Sequence, residues 1–377
     1  MVIKGLNLML LIGPLVPLPV PRAILDALTD VEVTVNDVGE SGFQLRFTLS
    51  THSPLHTIFL LTGGSGISIL RVVIVVIMNG ASHVLMDGVM TNHQISPGSD
   101  AGHAVLSVSG KDLSAVMNKI DFSGFPFPAM PAEGRVALLI AKYAFLGLIP
   151  LVIPSILIDF TIPTARYFSQ RGTDLKYIKA LAARVGYVFY VEPGPVPGIS
   201  FAYWGPQIKV GVPQPALNIN MDAHTNVESL SFMFDNDKNA IPTIQYYDET
   251  TGVPITIPIP PVSPLSPPLG LIPPIPTKLR PIGDDLAKRS LPQSLMIGLA
   301  RVAQWGEVVT GEGKLNVLRY GRPLKARQLV GVRGAGAAFD GLHYVKSVTH
   351  KIKRGEYTQS FKLSRNGLIS TLPRVVA

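Results

Sequence analysis

Three histidines recur at a regular spacing, which is one sequence signal for a transition-metal site. His83, His93 and His103 lie ten residues apart, and imidazole nitrogens are common metal ligands. The carboxylates beside them are Asp87 and Asp100, and the segment has the alternation and turn residues of β-strands. We therefore interpret these histidines as ordinary strand residues and predict no metal site here.

Two other short motifs lack residues that their chemistry requires. His52 and His56 have the i, i+4 spacing of a zinc-protease helix, but Pro54 lies between them and no glutamate accompanies them. The segment Gly311–Lys314 resembles the end of a phosphate-binding loop, yet Leu315 stands where a Ser or Thr must follow. The chain has no cysteine, which excludes a thiolate nucleophile and a disulfide framework. We predict no catalytic residue and no cofactor, and expect that the chain is not an enzyme.

Positive charge is concentrated near the C-terminus. Residues 299–377 contain 14 Lys and Arg against 4 Asp and Glu, a balance of +10, whereas the remainder contains 19 against 21. Such a region either binds nucleic acid or an acidic partner, or is a set of solvated strand faces. The candidates for lumen or partner contacts are Arg319, Arg327, Arg333, Lys351, Lys353 and Arg354.

These basic residues belong to a stretch, Arg319–Gly367, that ends in the pattern of a β-hairpin. Apolar residues alternate with polar ones on both sides of a Gly-containing turn, which is typical of two half-buried antiparallel strands. They are Leu342, Tyr344, Val348 and Ile352 before the turn, and Tyr357, Phe361 and Leu363 after it. Four glycines are predicted to set turns: Gly88, Gly102, Gly341 and Gly355.

The N-terminal part has the same kind of pattern. Val31, Val33 and Val35 alternate, the β-branched run Arg71–Met78 predicts a strand buried on both faces, and Asn79-Gly80 predicts a tight hairpin turn. Asp87-Gly88 and the strands up to Ser109 are echoed by Asp340-Gly341 and the strands up to Ser364. The offset is 253 residues at the Asp-Gly pair and 255 in the last strand. The echo indicates two copies of one β-barrel.

The sequence between the two copies has different patterns, one helical and one rich in proline. The segment 173–185 predicts an amphipathic helix, with Thr173 as its N-cap and Gly186 as its C-terminal stop. Prolines recur through 254–281, where we expect an extended strap rather than a packed strand or helix.

Two apolar segments imitate membrane signals. The first, Leu6–Ile12, is followed at once by several prolines and by no small-residue cleavage site, so we interpret it as part of an extended arm. The second, Val136–Ile158, contains Lys142, Pro150 and Pro154, so a helix to about Leu148 followed by an extended segment is predicted rather than a membrane anchor.

Composition indicates a subunit of an assembly. Charged residues make up 15% of the chain against 47% hydrophobic residues, and 33 prolines with 35 glycines interrupt regular elements. A surface with so little charge suits a chain that is largely covered by partners. The lack of cysteine fits assembly in a reducing cytoplasm.

The predicted fold class is mainly β with a small α+β insert and two β-barrels per chain. The predicted regions are an extended N-terminal arm (1–27), a first barrel (28–110), an α+β insert (111–223), an irregular Pro-rich strap (224–296), a second barrel (297–368) and a C-terminal tail (369–377).

Three stretches together resemble the baseplate hub family, also called the late-control D family, of contractile-tail phages and contractile injection systems. They are Asp87–Ser114, DGVMTNHQISPGSDAGHAVLSVSGKDLS; Gly172–Gly194, GTDLKYIKALAARVGYVFYVEPG; and Arg319–Gly367 continuing through LSRNGL. The resemblance covers most of the chain. The Pro-rich segment and the apolar segment are more extreme than the family pattern, and no spike or lysozyme-like domain follows, so a hub alone is expected.

The resemblance implies a mechanical role. Hubs of this family are ring-forming homotrimers in which each chain supplies two tail-tube-like barrels, so that six barrels meet a hexameric tail tube while the trimer accepts a trimeric spike. The implied partners are therefore the tube protein, the spike protein, other baseplate proteins, and DNA or an effector protein in the channel. Two alternatives stay open: a tail-associated peptidoglycan hydrolase, and a membrane-inserted protein that uses Val136–Ile158.

Overall fold

A computed structural model of the protein describes residues 2–3, 6–49, 55, 69–97, 104–128, 130–155, 168–235, 240–248, 252–259, 267–272, 278–282, 291, 294–295, 297–299 and 307–371. The described chain is mainly β, and most of its strands join in one 14-stranded sheet.

The strands in chain order are β1 (Val2–Ile3), β2 (Leu6–Gly13), β3 (Leu18–Pro19), β4 (Leu28–Asn36), β5 (Gly42–Leu49), β6 (Arg71–Met78), β7 (Ala81–Pro97), β8 (Ala104–Asp112), β9 (Pro126–Phe127), β10 (Leu148–Val152), β11 (Phe168–Ser169), β12 (Val188–Pro193), β13 (Ser200–Gly205), β14 (Gln214–Asn218), β15 (Val227–Phe234), β16 (Ala240–Asp248), β17 (Val253–Pro258), β18 (Gly270–Ile272), β19 (Lys278–Pro281), β20 (Val309–Asn316), β21 (Leu329–Arg333), β22 (Gly341–Lys353), β23 (Glu356–Arg365) and β24 (Leu368–Ser370). The helices are α1 (Arg22–Ala27), α2 (Ala132–Ala141), α3 (Asp174–Val185) and α4 (Val317–Tyr320), with 3₁₀ turns at Leu113–Asn118, Ala144–Leu146 and Asp222–His224.

The first five-stranded unit has the order β4-β5-β8-β7-β6, and every neighbouring pair is antiparallel. Alternation explains its core: Phe43, Leu45 and Phe47 of β5 are buried, while the residues between them face the other side. The predicted turn between β6 and β7 is confirmed, since Asn79 and Gly80 both have positive φ, at 51° and 79°. This is the backbone that a two-residue hairpin of type I′ requires.

A second unit repeats this arrangement. Its order is β15-β20-β23-β22-β21, again antiparallel throughout, and its strands follow one another along the chain as those of the first unit do. The predicted β22–β23 hairpin is confirmed, with Gly355 at φ 84° in its turn. The strand order therefore supports the duplication that the sequence echo indicated.

Two irregularities in the pairing also recur at matching places, whereas the register shift between Ile74 and Val75 of β6 has no counterpart in the β21–β22 ladder. In the first unit, register shifts lie between Met90 and Asn92 of β7 and between Leu28 and Asp30 of β4. In the second, they are found on the corresponding strands β22 and β15, between Val345 and Ser347 and between Val227 and Ser229. Because bulges are defined features of a ladder, they fix which residues correspond. Val345 corresponds to Met90, an offset of 255 residues on this strand rather than the 253 inferred from the Asp-Gly pairs.

The two units share one sheet and one core instead of closing as separate barrels. β4 pairs with β22 along seven residues, from Ser347 opposite Asn36 to Lys353 opposite Asp30. Apolar residues of both units, such as Val33 and Val348, belong to a single buried cluster. Among the described residues neither unit closes on itself, because the outer edge of β4 takes β22 as its partner and β6 takes β2. An open strand edge is stabilised by any strand that pairs with its N–H and C=O groups, and here the other unit supplies it.

The predicted N-terminal arm contains a strand of the large sheet. β2 pairs with β6 over its full length, and its alternating residues Leu6, Leu8 and Leu10 are buried. An extended segment was expected, but its apolar alternation makes it a packed strand.

The α+β insert is built around a second buried cluster. The predicted helix is confirmed as α3: Thr173 Oγ1 accepts from the Lys176 N–H at 3.3 Å, and Gly186 ends the helix with φ 71°. The apolar segment after residue 136 forms α2 and then β10, which pairs parallel to β13. Its helix ends at Ala141, earlier than predicted. Among the described residues, no helix has the length and apolarity needed to cross a bilayer.

The prediction of an irregular strap over 224–296 is wrong for the described residues of that region, which contain strands. β15 is a strand of the large sheet, and β17, β16 and β19 form a three-stranded sheet in that order. Pro254 and Pro258 lie in β17, at the edge of the small sheet, and Pro281 lies in β19 at its other edge. Proline cannot donate to a ladder but is tolerated on edge strands, so a high proline content did not exclude strands here.

Candidate functional site: a polar sheet face and its two ends

Eight strands drawn from both units form a continuous sheet in the order β7-β8-β5-β4-β22-β23-β20-β15, which we call the shared sheet. One face carries the alternating core residues. The opposite face, called the polar face, carries Ser, Thr, Asn, Gln and charged residues in rows that cross the strands. One row is Asn92, Ser109, Gln44, Glu32, Lys351 and Thr358, each directly opposite the next.

The charges on the polar face are largely paired with one another. Lys351 Nζ lies 3.8 Å from Glu32 Oε2, and Lys362 Nζ lies 2.8 Å from Glu312 Oε1. Arg46 Nη1 contacts a carboxylate oxygen of the neighbouring strand β4 at 3.2 Å. Exposed pairs of this kind contribute little stability, but they cancel much of the local field. The face is therefore polar and close to neutral rather than strongly basic.

The predicted basic residues do not converge on one site. Lys351 and Lys353 lie on the polar face, on β22. Arg354 lies in the turn after β22 and donates to the carbonyl oxygen of Asp26. Arg319 is exposed on α4, and Arg333 ends β21. Their common positive charge is thus spread over several surfaces.

Arg327, one of the predicted lumen or partner contacts, binds groups within the chain itself. Its side chain is only 8% exposed, and Nη1 lies 3.2 Å from Glu192 Oε2. Nε donates to the Asp37 carbonyl oxygen at 3.2 Å, and the guanidinium lies 3.9 Å from the centre of the Tyr190 ring. Glu192 and Tyr190 belong to β12 of the insert, so Arg327 ties the insert to the shared sheet.

Sequence reasoning missed a buried ion pair that performs a similar task. Arg71 Nη2 and Nε donate to the two carboxylate oxygens of Asp87 at 2.6 and 2.7 Å, and the Ser200 hydroxyl also donates to Asp87, at 3.0 Å. Arg71 also donates to the Gly198 carbonyl oxygen at 2.9 Å. The pair joins β6 and β7 to β13 of the insert. A lone arginine at the start of an apolar strand was the signal that could have revealed it.

A second buried charge cluster joins the segment after β13 and the residue Glu307, which precedes β20, to β22. Glu307 accepts hydrogen bonds from Lys209 and Lys346, both at 2.6 Å. Burial alone would raise the pKa of Glu307, but the two ammonium charges outweigh it and hold the pKa below its usual value. Nearby, burial raises the pKa of Asp37. The cluster connects distant segments and has no reactive geometry of its own.

The four predicted turn glycines have different outcomes. Gly355 lies in the β22–β23 turn, and Gly341 has φ 120° at the first residue of β22. Gly88 is not in a turn: it lies inside β7, and a Cβ there would meet the Lys111 carbonyl oxygen at 2.3 Å. It is needed for the close approach of two strands. Gly102 lies outside the described residues.

The structure describes only some of the residues in the motifs that were considered for catalysis or metal binding. The described residues contain no group of three His, Asp or Glu side chains that could hold a metal ion. His83 and His93 lie along β7, and the loop-like segment Gly311–Lys314 is part of strand β20. His103 and the His52/His56 pair lie outside the described residues.

No protein-family model matches the sequence. No curated protein matches it either. Among solved structures, the tail protein from Neisseria meningitidis MC58 matches with a TM-score of 0.64 and 13% identity, over 97% of this chain and 98% of that one. The 43 kDa tail protein of prophage MuSo2 from Shewanella oneidensis matches with a TM-score of 0.58 and 13% identity, over 95% of this chain and 98% of that one.

A third solved structure belongs to a secretion system. The E. coli c3393 protein, a component of the type VI secretion system with structural similarity to the T4 bacteriophage tail proteins gp27 and gp5, matches with a TM-score of 0.52 and 12% identity. The match covers 93% of this chain and 78% of that one. The chain thus has the fold of phage tail proteins and of a secretion-system component, as its resemblance to the baseplate hub family predicted.

Proposed function

We propose that the chain is the structural hub of a contractile tail or injection particle. Three copies form a ring that adapts a sixfold tail tube to a threefold spike and surrounds part of the central channel. The observation that carries the proposal is the repeated strand order within one chain, with register shifts at matching places in both units.

The repeat of two units within each chain allows a trimer to match a sixfold partner. Two equivalent units per chain supply six positions when three chains close a ring, so a trimer can present a sixfold surface to a hexameric tube. The elements outside the units occur once per chain and therefore repeat three times, which suits a trimeric spike. Head-to-tail contacts between copies generate such a ring when the rotation from one copy to the next closes after three chains.

The polar face of the shared sheet is the proposed channel lining. Its pairs of opposite charges, such as Lys351 with Glu32, leave little net field to retain a passing polyanion. Its Ser, Thr, Asn and Gln side chains offer no apolar patch to a passing protein. A conduit for DNA or for an effector protein needs both properties, because cargo must move through without binding.

The proposed partners follow from this position. They are other copies of the chain in a homotrimer, the tail tube protein, the spike protein and further baseplate proteins, assembled in the bacterial cytoplasm and carried in a virion or injection particle. The tail proteins that share the fold support a structural role rather than an enzymatic one.

The test is assembly and binding. The mass of the purified chain is measured by native mass spectrometry, and the chain is then mixed with candidate tube and spike subunits. A mass of three chains and a complex with either subunit are expected. A monomer that binds neither subunit would overturn the proposal. Clearing of peptidoglycan in a zymogram would instead favour the hydrolase alternative, and recovery only with detergent would favour membrane insertion.

A further inference from the structure

The two units differ in how their longest strands are covered. On the side away from β23, β22 pairs first with β21, up to Tyr344, and then with β4, from Ser347 onward. On the side away from β8, the corresponding strand β7 pairs with β6 only up to Val89. Beyond that residue, no strand of the described chain pairs with this side of β7.

The other end of the shared sheet has the complementary feature. β4 has β5 on one side and β22 on the other, whereas its counterpart β15 pairs only with β20 among the described strands. The shared sheet thus ends at β7, whose edge corresponds to that of β22, and at β15, whose edge corresponds to that of β4. Within the chain, β22 and β4 pair with each other along these edges.

We call the pairing of β4 with β22 within one chain the internal joint. Because the register shifts match, the residue pairs of this joint predict the residue pairs of a contact between two chains. Residues of β7 correspond to those of β22 at an offset of 255, because Met90 and Asn92 flank the same bulge as Val345 and Ser347. Residues of β15 correspond to those of β4 at an offset of 199, because Ser229 follows the same bulge as Asp30.

We propose that β15 of one copy pairs antiparallel with the outer half of β7 of the next copy, Ser231–Phe234 against His93–Ser96. The internal joint sets Thr349 opposite Thr34, and this pair maps onto Gln94 opposite Met233. The same mapping sets Ile95 opposite Phe232. The inference deepens the proposed function, on which it rests for the number of copies in the ring.

Side-chain exposure at the two edges supports this pairing. Ile95, Met233 and Phe234 are 45%, 57% and 38% exposed. Ile95 and Phe234 lie on the core face, since they stand opposite buried residues of β8 and β20. At the offset of 199, Phe234 corresponds to Val35, which is partly buried in the internal joint, and Phe232 corresponds to Val33, which is fully buried. Pairing between copies would cover both edges and pack the exposed core-face residues Ile95 and Phe234 against the neighbouring copy.

The absence of cysteine makes a cross-linking test clean. In the variant Gln94→Cys/Met233→Cys, oxidation should link each copy to the next and yield covalent dimers and a covalent ring of three on a non-reducing gel. The matched control is Thr34→Cys/Thr349→Cys, because these hydroxyl oxygens lie 3.1 Å apart within one chain. The control should consume its thiols while running as a single chain. Gln94→Cys alone should give no cross-linked species, since the proposed contact is head-to-tail.

The outcomes separate this inference from the proposed function. Trimers by native mass without the Gln94–Met233 cross-link would overturn the strand pairing and leave the trimeric hub intact. A monomer without cross-links at high protein concentration would overturn both. Cross-linking of Gln94→Cys to itself would indicate a twofold contact and also refute the pairing.

A second variant tests the edges without cysteines. Ile95→Lys/Phe234→Lys places a charge on each proposed edge, which opposes edge-to-edge pairing. We expect loss of the trimer with unchanged circular dichroism, whereas Leu318→Lys, at an apolar position 38% exposed on α4, should leave the trimer unchanged. Retention of the trimer by the double variant would contradict the inference.

Discussion

Replacing Asp87 by Asn should strongly destabilise the chain. The side chains of Arg71 and Asp87 are 4% and 0% exposed, and two hydrogen bonds join them. Removing one charge of a buried pair leaves the other without compensation, which typically costs about 3–5 kcal/mol. Because the Asn amide oxygen can still accept one of the two hydrogen bonds, we expect a loss of about 3 kcal/mol in the free energy of unfolding.

The assay is urea unfolding, followed by circular dichroism and by the fluorescence of the two tryptophans, of which Trp204 is buried. The control is Arg46→Met, which breaks an ion pair in which the arginine side chain is 46% exposed and should cost no more than about 1 kcal/mol. The double variant Arg71→Met/Asp87→Leu removes both charges and should recover part of the loss. If Asp87→Asn costs no more than the control, the assignment of a structural ion pair is wrong.

Three further predictions concern the core. Burial lowers the pKa values of His343 and His350 to about 3. Between about pH 6.5 and pH 3 the two imidazole rings therefore stay neutral in the folded chain but bind protons in the unfolded chain. The free energy of unfolding should therefore fall as the pH decreases from about 6.5 towards 3, by up to about 1.4 kcal/mol per pH unit for each ring. The urea midpoints of unfolding at about pH 7 and pH 5 measure this loss, and equal midpoints would contradict the prediction. Gly88→Ala should lower the melting temperature by several degrees, because its Cβ would meet a backbone carbonyl of β8 at 2.3 Å; an unchanged melting curve would refute the close approach. Tyr357→Asp/Phe361→Asp should abolish soluble protein and particle assembly, since both residues are at most 2% exposed in the core; wild-type particle yield would refute the β23 assignment.

Local elements were predictable wherever neighbouring residues determine them. The helix after Thr173, the Asn79-Gly80 turn and the β22–β23 hairpin each depend on a cap, a turn residue or an alternation within a few positions. The structure confirms all three. Their signals are intrinsic to the segment and need no knowledge of the rest of the chain.

The contacts between the two units and between the insert and the shared sheet could not be predicted, because they bring together segments far apart in the chain. The β4–β22 ladder pairs Asn36 with Ser347, and neither strand carries a residue type that specifies the other. The clamp of Arg327 on Glu192 is of the same kind: the sequence reveals the charge but not its burial. Composition was also misleading, because prolines that lie on edge strands made the region after residue 254 resemble an extended, irregular strap.

The internal joint constrains what the whole assembly can be. When two equivalent units pair edge to edge in one chain, the joint uses one edge of each kind and leaves the other two at the ends of the shared sheet. Further copies can use the same contact, which gives either an open filament or a closed ring. The outer strands distinguish the units, because β2 runs antiparallel to β6 whereas β14 runs parallel to β21. On the proposed function, the four strands that each unit contributes to the shared sheet would then repeat six times around a ring of three chains, while the elements outside the units repeat three times. One chain would thereby carry both symmetries that a tube and a spike require.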